Sequence, residues 1–207
     1  MKISAGETTL LATATVGLMF RERMMGGFAL GETDPRAGER KGLESNSRFD
    51  LEATASIPDL RHFLADPQHT GELTGVVRFG PLGDLEIHSG VIRLFRRTGD
   101  RNLKIMEYCF GLRHGAQIYY LAGQKEIRRR RLLHSWSETT TLLCRLHEAS
   151  DTNGPVVGAG VLHLTPREFL KQLSTFQVTE APAGTAKAGA LLRFVCFFAA
   201  ELLDSYV

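Results

Sequence analysis

Apolar and polar residues alternate along most of the chain. In the segment RFDLEATASI, for example, Phe49, Leu51 and Ala53 alternate with polar neighbours. Alternation with a period of two is typical of β-strands that bury one face. Six further segments are rich in β-branched, aromatic or leucine residues and are bounded by Gly, Pro, Asp or Asn: LTGVVRF, DLEIHSGVIRLF, LKIMEYCFGLR, QIYYLAGQKEI, TTTLLCRLHE and VVGAGVLHL.

The number and spacing of these segments predict a mainly β fold. Turn sequences such as Pro81 to Asp84 and Asp151 to Pro155 separate them. About eight to ten strands at this spacing are typical of an antiparallel closed barrel, calycin-like, or of a strongly curved sandwich. We expect residues 1–18 to be a leader and first-strand region, and residues 19–207 to form a single barrel-like domain. A barrel of about eight strands can hold one small ligand.

Two short segments break the alternation and predict helices that punctuate the strands. In TPREFLKQLSTF, Thr165 can act as N-cap, Pro166 takes the first helical position and Glu168 completes a capping box. In SIPDLRHFLADP, Ser56 is the expected N-cap and Pro67 lies just past the end. Both segments directly follow a strand.

The end of the chain predicts a third helix, over residues 188–206, packed on the barrel. Its apolar residues recur at helical spacing: Leu191, Leu192, Val195, Phe198 and Leu202. By contrast, the segment from Gly31 to Ser47 is polar and rich in glycine, so we expect a mobile loop there.

The overall charge argues against a dedicated binder of polyanions, because the formal net charge is only +2. The charge is unevenly spread, however. Between Arg93 and Arg145 there are 12 Lys and Arg residues and four acidic residues, a net charge of +8, which indicates a basic face. Four of these cations, Arg128 to Arg131, are consecutive and are expected to form a solvated or partner-facing hairpin. No RNA-binding signature or zinc finger accompanies them, so no nucleic-acid partner is expected and a nucleic-acid-binding module is the least favoured alternative.

Cysteine and histidine positions give no sign of a metal or a disulfide framework. Cys109, Cys144 and Cys196 are odd in number and widely separated, which is typical of reduced thiols in a cytoplasmic protein. None of the seven histidines has the spacing of metal ligands, so no metal is expected. The stretch ALLRFVCFFAAELL is too short to span a membrane and carries two charges, so no membrane span is expected.

The segment VVGAGVLHL is similar to the first strand and turn of a dinucleotide-binding fold, but two requirements of that fold fail. The third glycine of that fingerprint would fall on His163, and no βαβ unit surrounds it. We interpret the segment as a strand whose glycines allow close approach of neighbouring groups. No cofactor is therefore expected.

Polar residues within apolar strands are the candidate site. A carboxyl or an amine that points into a barrel loses water, its pKa moves toward neutrality, and it can then act as an acid or a base. The alternative is that such residues point outward or form a structural Lys–Glu pair. We predict catalytic roles for Glu107, Lys125 and Glu138, and ligand-binding roles for five further residues: Glu22, Tyr108, Tyr120, Trp136 and Thr140.

The order of these segments resembles a known module. MFRERMMGGFALG, IPDLRHFLADPQHTGELTGVV, GVIRLF, MEYCFGL, YYLAGQKEI, WSETTTLL and GAGVLHLTPREFLKQLSTF together are similar to an accessory region of cholesterol-oxidase-like members of the GMC oxidoreductase family, some of which are fused to an α/β-hydrolase. The resemblance runs from about Met19 to Tyr206 and rests on structural rather than catalytic residues. The flavin-binding part has no counterpart in this chain. In the related modules the loop that here holds Arg128 to Arg131 tends to be acidic, so a shared partner is in doubt.

Three functions follow from these observations. The first is binding of a hydrophobic small molecule, which the resemblance implies to be sterol-, terpenoid- or polyketide-like, as in secondary metabolism. The second is a cofactor-independent isomerase, cyclase or hydrolase in which Glu22, Glu107, Tyr108, Lys125 or Glu138 acts as acid or base. The third is a non-catalytic domain that docks on an oxidoreductase. The first two require inward polar residues and a cavity. We favour the ligand-binding barrel, and a homodimer remains open.

Overall fold

The computed structural model describes residues 15–128, 139–179 and 185–204. Within these ranges, ten strands belong to one sheet. They are β1 (Gly17–Leu30), β2 (Arg48–Ile57), β3 (Thr70–Phe79), β4 (Gly83–Glu86), β5 (His88–Arg97), β6 (Leu103–His114), β7 (Gln117–Arg128), β8 (Thr141–His147), β9 (Val156–His163) and β10 (Gln177–Thr179).

Eight of the strands close into an antiparallel barrel. The hydrogen-bonded order is β1-β2-β3-β5-β6-β7-β8-β9, and β9 pairs back with β1 through Phe28 and Gly160. The two remaining strands extend the wall, since β4 pairs with β3 and β10 pairs with β1. The predicted mainly β closed barrel is therefore confirmed, and it is a barrel rather than a sandwich.

Strand parity decides which side chains face the interior. On β6 the even-numbered residues from Lys104 to Leu112 are buried, and on β7 the odd-numbered ones from Tyr119 to Ile127. On β1 the even-numbered positions from Leu18 to Met24 are buried. A period of two places these sets on the inner face of the wall, and their neighbours face outward.

One part of the interior is filled by aromatic side chains. The rings of Phe28, Phe49 and Phe79 pack on each other with centroids 4.9 to 5.4 Å apart. All three side chains are fully buried. This region is packed as a conventional hydrophobic core, and the inward-facing polar residues lie elsewhere in the barrel.

Four helices with bounds inside the described ranges accompany the barrel: α1 (Pro35–Glu44), α2 (Leu60–Ala65), α3 (Pro166–Ser174) and α4 (Thr185–Asp204). The predicted start of α3 is confirmed, because the Thr165 side chain accepts a hydrogen bond from the Glu168 backbone N–H. The predicted N-cap of α2 is wrong. Ser56 still pairs with Glu72 inside β2, and Asp59 caps the helix instead by accepting from the N–H groups of Arg61 and His62.

The segment expected to be a mobile loop contains helix α1, so that prediction is wrong. Asp34 caps the helix by accepting from the Ala37 N–H, and Pro35 is the first helical residue. The glycines that indicated a loop serve close packing. A Cβ at Gly38 would overlap the carbonyl oxygen of Ala159, and one at Gly42 would overlap the backbone nitrogen of Phe28. The helix can therefore lie directly on the backbone of β1 and β9.

Helix α4 lies over the barrel and carries the C-terminal aromatic residues into it. The Phe194 ring packs against Phe20, Phe63 and Phe176 with centroids 5.7 to 6.2 Å apart. The helix thus covers one region of the interior, as expected from its apolar spacing. Of the helices in the described ranges, none combines the length and apolar composition needed to cross a membrane.

Candidate ligand-binding site

A cavity of about 650 Å³ lies between the inner wall of the barrel and helices α3 and α4. This volume is within the range of small-molecule sites, which is about 300–1,000 Å³. Most of the lining side chains are apolar: Phe20, Leu94, Met106, Leu164, Phe169, Leu173, Phe176, Leu191, Phe194, Val195, Phe198, Ala199, Leu202 and Leu203. The polar lining residues are few: Glu22, Tyr108, Lys125, Thr139, Thr140 and Gln172.

Three of the polar residues reach the cavity from opposite sides of the barrel. Glu22 lies on β1, whereas Tyr108 and Lys125 lie on β6 and β7. In the closed order of eight strands, β6 is directly across the barrel from β1. Each residue has the inward parity of its strand, so the three side chains meet within the barrel interior.

We refer to Glu22, Tyr108 and Lys125 as the buried triad. Lys125 Nζ donates to Glu22 Oε1 at 2.7 Å, and Tyr108 Oη donates to Glu22 Oε2 at 2.7 Å. The ammonium group of Lys125 also lies 4.7 Å from the centre of the Tyr108 ring, a cation–π distance. Their exposed fractions are only 5% for Glu22, 2% for Tyr108 and 2% for Lys125. Each charge is therefore paired, as burial requires.

Tyr108 is fixed as a neutral hydrogen-bond donor. Burial raises its pKa well above the ordinary value of 10.0, and the negative charge of Glu22 and the hydrogen bond to it act in the same direction. Cys144 lies on the inner face of β8, where burial raises the pKa of its thiol, so this cysteine is an unreactive apolar group.

The structure brings four of the predicted site residues together at this cavity. Glu22, Tyr108 and Lys125 form the buried triad, and Thr140 is 6% exposed and also lines the cavity. The assignment of Trp136 and Glu138 to the site falls outside the described residues.

Two predicted site residues lie on the outer face of the barrel. Glu107 accepts from Arg96 at 2.6 Å and from Arg93 at 3.2 Å, so it forms the outward ion pair that the sequence left open as an alternative. Tyr120 lies on the same outer wall beside Cys109, and burial raises its pKa to about 12. Neither side chain lines the cavity.

Sequence reasoning missed Lys104, which secures the helix that covers the cavity. This lysine is 7% exposed and donates to the Glu201 carbonyl oxygen and carboxylate, both at 2.8 Å. Its ammonium group also lies 2.9 Å from Asp204. Lys104 has the same parity on β6 as Met106 and Tyr108, so alternation alone could have marked it as an inward residue.

Within the described part of the chain, no group of three or more His, Cys, Asp or Glu side chains is placed to hold a metal ion. Comparisons with protein-family models, with curated proteins and with solved structures gave no match.

Proposed function

We propose that this barrel binds an uncharged, mainly apolar small molecule that carries a carbonyl or hydroxyl oxygen. The observation that carries the proposal is the buried triad, because it places a Lys, a Glu and a Tyr on the wall of a mainly apolar cavity. Sites of this kind use the apolar lining for affinity and a few convergent polar groups for orientation.

The charge balance of the cavity favours a neutral ligand. Of the described residues that line the cavity, only Glu22 and Lys125 are charged, and they neutralise each other at 2.7 Å. A carboxylate or an ammonium group on the ligand would leave water without gaining an unpaired opposite charge, which is costly. A carbonyl oxygen, by contrast, can accept from one of the remaining N–H groups of Lys125.

The same arrangement supports cofactor-independent proton transfer on the bound molecule. The Glu22 carboxylate would take a proton from a carbon beside the ligand carbonyl, and the electron pair of the broken C–H bond would form an enolate. Lys125 would donate to the enolate oxygen and stabilise its charge. If the ligand also has a carbon–carbon double bond conjugated with this enolate, return of the proton from Glu22 to the far carbon of the dienolate would shift the double bond and complete an isomerisation, with no change in oxidation state.

Binding is tested with dyes that share one aromatic skeleton and differ in one group. We expect a neutral naphthyl ketone to bind with a blue-shifted emission, the matched alkylnaphthalene to bind more weakly, and the matched naphthalene sulfonate not to bind. Lys125→Met should weaken ketone binding, whereas Lys171→Met is a matched control because Lys171 pairs with Glu168 on the exposed face of α3. Equal affinity for all three dyes, or no binding of any, would contradict the proposed ligand class.

Catalysis is tested separately from binding. The bound ketone is held in deuterated water, and NMR follows the loss of its α-hydrogen signal. We expect exchange with the wild type and none with Glu22→Gln. Binding without exchange would identify a carrier rather than an enzyme.

A further inference from the structure

The mouth of the cavity is surrounded by exposed apolar side chains. We call Leu170, Leu173, Leu192, Val195 and Leu203 the apolar rim. Their exposed fractions are 66%, 51%, 63%, 51% and 57%. Leu173, Val195 and Leu203 also line the cavity, so the rim is continuous with its interior.

The rim is formed by both helices that cover the barrel. Leu170 and Leu173 lie on α3, and the other three residues lie on α4. The exposed surface of α4 around the rim is apolar, whereas the exposed side of a surface helix is normally polar. Ala199 and Cys196 are exposed beside Leu192, Val195 and Leu203. A contiguous exposed apolar patch of this kind marks an interaction surface.

Four basic side chains are exposed on the two helices that form the rim. Arg167 and Lys171 are exposed on α3, and Lys187 and Arg193 are exposed on α4.

The acidic residues of the same helices are already paired. Glu168 pairs with Lys171, and Glu201 and Asp204 both pair with Lys104. Within the described ranges, no ion pair holds Arg167, Lys187 or Arg193. The rim therefore combines a contiguous apolar surface with basic flanks.

We propose that the apolar rim docks on an anionic lipid surface and that lipophilic ligands enter the cavity from that surface. Apolar side chains that project from a helix, flanked by Lys and Arg, bind at the boundary between headgroups and acyl chains. The negative surface potential of such a membrane attracts the basic flanks.

A second copy of the chain is a poorer fit to this surface. In a two-fold interface, the same patch of each copy meets its counterpart. The basic flanks would then face each other, and the mouth of the cavity would be closed by the partner.

The proposal is tested by flotation of the purified protein with lipid vesicles. We expect co-flotation with phosphatidylcholine vesicles that contain phosphatidylserine, and weak co-flotation with phosphatidylcholine alone. The double variant Leu170→Asp, Leu192→Asp should reduce the partition coefficient at least about tenfold. Neither residue lines the cavity, so the variant should still bind the ketone dye. Flotation and dye binding of this variant therefore distinguish a failure of lipid docking from a failure of ligand binding.

Two substitutions of exposed apolar residues outside the rim are the controls. Leu43→Asp and Ile118→Asp alter apolar residues that are 51% and 44% exposed elsewhere on the surface, and they should leave flotation unchanged. Arg167→Gln with Arg193→Gln should abolish the preference for anionic vesicles. If the wild type ignores both vesicle types, or if it sediments as a dimer that Leu192→Asp dissociates, the rim is not a lipid-docking surface.

Discussion

Glu22 and Lys125 form an ion pair that water hardly reaches, and such a pair needs an explanation at the level of single residues. Replacing a buried ion pair by apolar residues is often neutral or stabilising, so stability alone does not account for it. Tyr108 donates to the same carboxylate, which uses both oxygens of Glu22. We infer that the pair is kept for the polar surface it presents to the cavity.

Removal of one partner should cost far more than removal of both. We predict that Lys125→Met lowers the free energy of unfolding by roughly 3–5 kcal/mol, because the Glu22 carboxylate is left buried without its cation. The double variant Lys125→Met, Glu22→Leu should recover most of this loss. Urea unfolding of the wild type, the two single variants and the double variant measures both effects. If the loss of unfolding free energy in the double variant equals the sum of the losses in the two single variants, the two side chains are not coupled as described.

Tyr108 should make the stability of the protein sensitive to alkaline pH. Its pKa is raised in the folded protein and is near 10.0 in the unfolded chain. The folded state therefore holds the proton after the unfolded state has released it. The resulting stabilisation is complete below pH 10.0 and decreases as the pH rises through the higher folded-state pKa.

We predict that Tyr108→Phe loses about 1–3 kcal/mol at neutral pH, because Glu22 loses a buried donor. The decrease in unfolding free energy above pH 10.0 should then be shallower than in the wild type. Denaturant unfolding at a series of pH values gives both quantities. Tyr120, whose pKa is also raised, is present in both proteins and cancels in the comparison. Identical alkaline slopes would show that Tyr108 does not hold its proton in this way.

Strand parity did not give the direction of the candidate side chains. Glu22 and Tyr108 have apolar residues two positions away on both sides, but so does Glu107, which lies between Ile105 and Cys109. Only the register of β5 against β6, which brings Arg93 opposite Glu107, reveals its outward ion pair. That two residues 103 positions apart meet at 2.7 Å follows from barrel closure and not from local sequence.

At the scale of elements, the glycines of α1 allow close packing, whereas the glycine-rich composition of that segment predicted a mobile loop. Gly38 and Gly42 are four residues apart and form the face of the helix that contacts the barrel. We predict that Gly42→Ala destabilises the protein by about 1–3 kcal/mol, because the added methyl group overlaps the backbone of Phe28.

A matched substitution in another helix should have the opposite effect. A Cβ added at Gly189 in α4 would meet no atom within 4 Å outside the backbone of its own helix, so Gly189→Ala should stabilise the helix by about 0.5–1 kcal/mol. Thermal or urea unfolding of both variants provides the comparison. A neutral effect of Gly42→Ala would mean that α1 does not lie directly on the strand backbone.

Helix α4 is held at its C-terminal end by a buried lysine. Lys104 contacts Glu201 and Asp204, and the helix covers the cavity. We predict that Lys104→Met increases amide hydrogen exchange in the last turns of α4 by about tenfold, because local opening no longer has to break these contacts. The exposed pair is the control, since Lys171→Met should affect only α3. If amide hydrogen exchange in α4 is unchanged, the aromatic side chains alone hold this helix on the barrel.

At the scale of the whole molecule, the fold was the most predictable feature. Alternation indicates which residues form strands and about how many strands there are, and it left a closed barrel and a curved sandwich as the two candidate folds. The cavity was not predictable to the same degree. It exists because α3 and α4 lie over the interior at a distance set by Phe20, Phe176 and Phe194, and long-range packing of this kind leaves no periodic signal in the sequence.

The whole account depends on whether the cavity is occupied by an apolar ligand in solution. The most direct measurement is native mass spectrometry of the purified protein, followed by solvent extraction and identification of what is released. We predict a discrete, uncharged, mainly apolar compound at one per chain, or its uptake on soaking with sterols and terpenoids, and a loss of that species in Lys125→Met. A clean protein mass that does not change on soaking would contradict the account and would leave the barrel as an interaction domain.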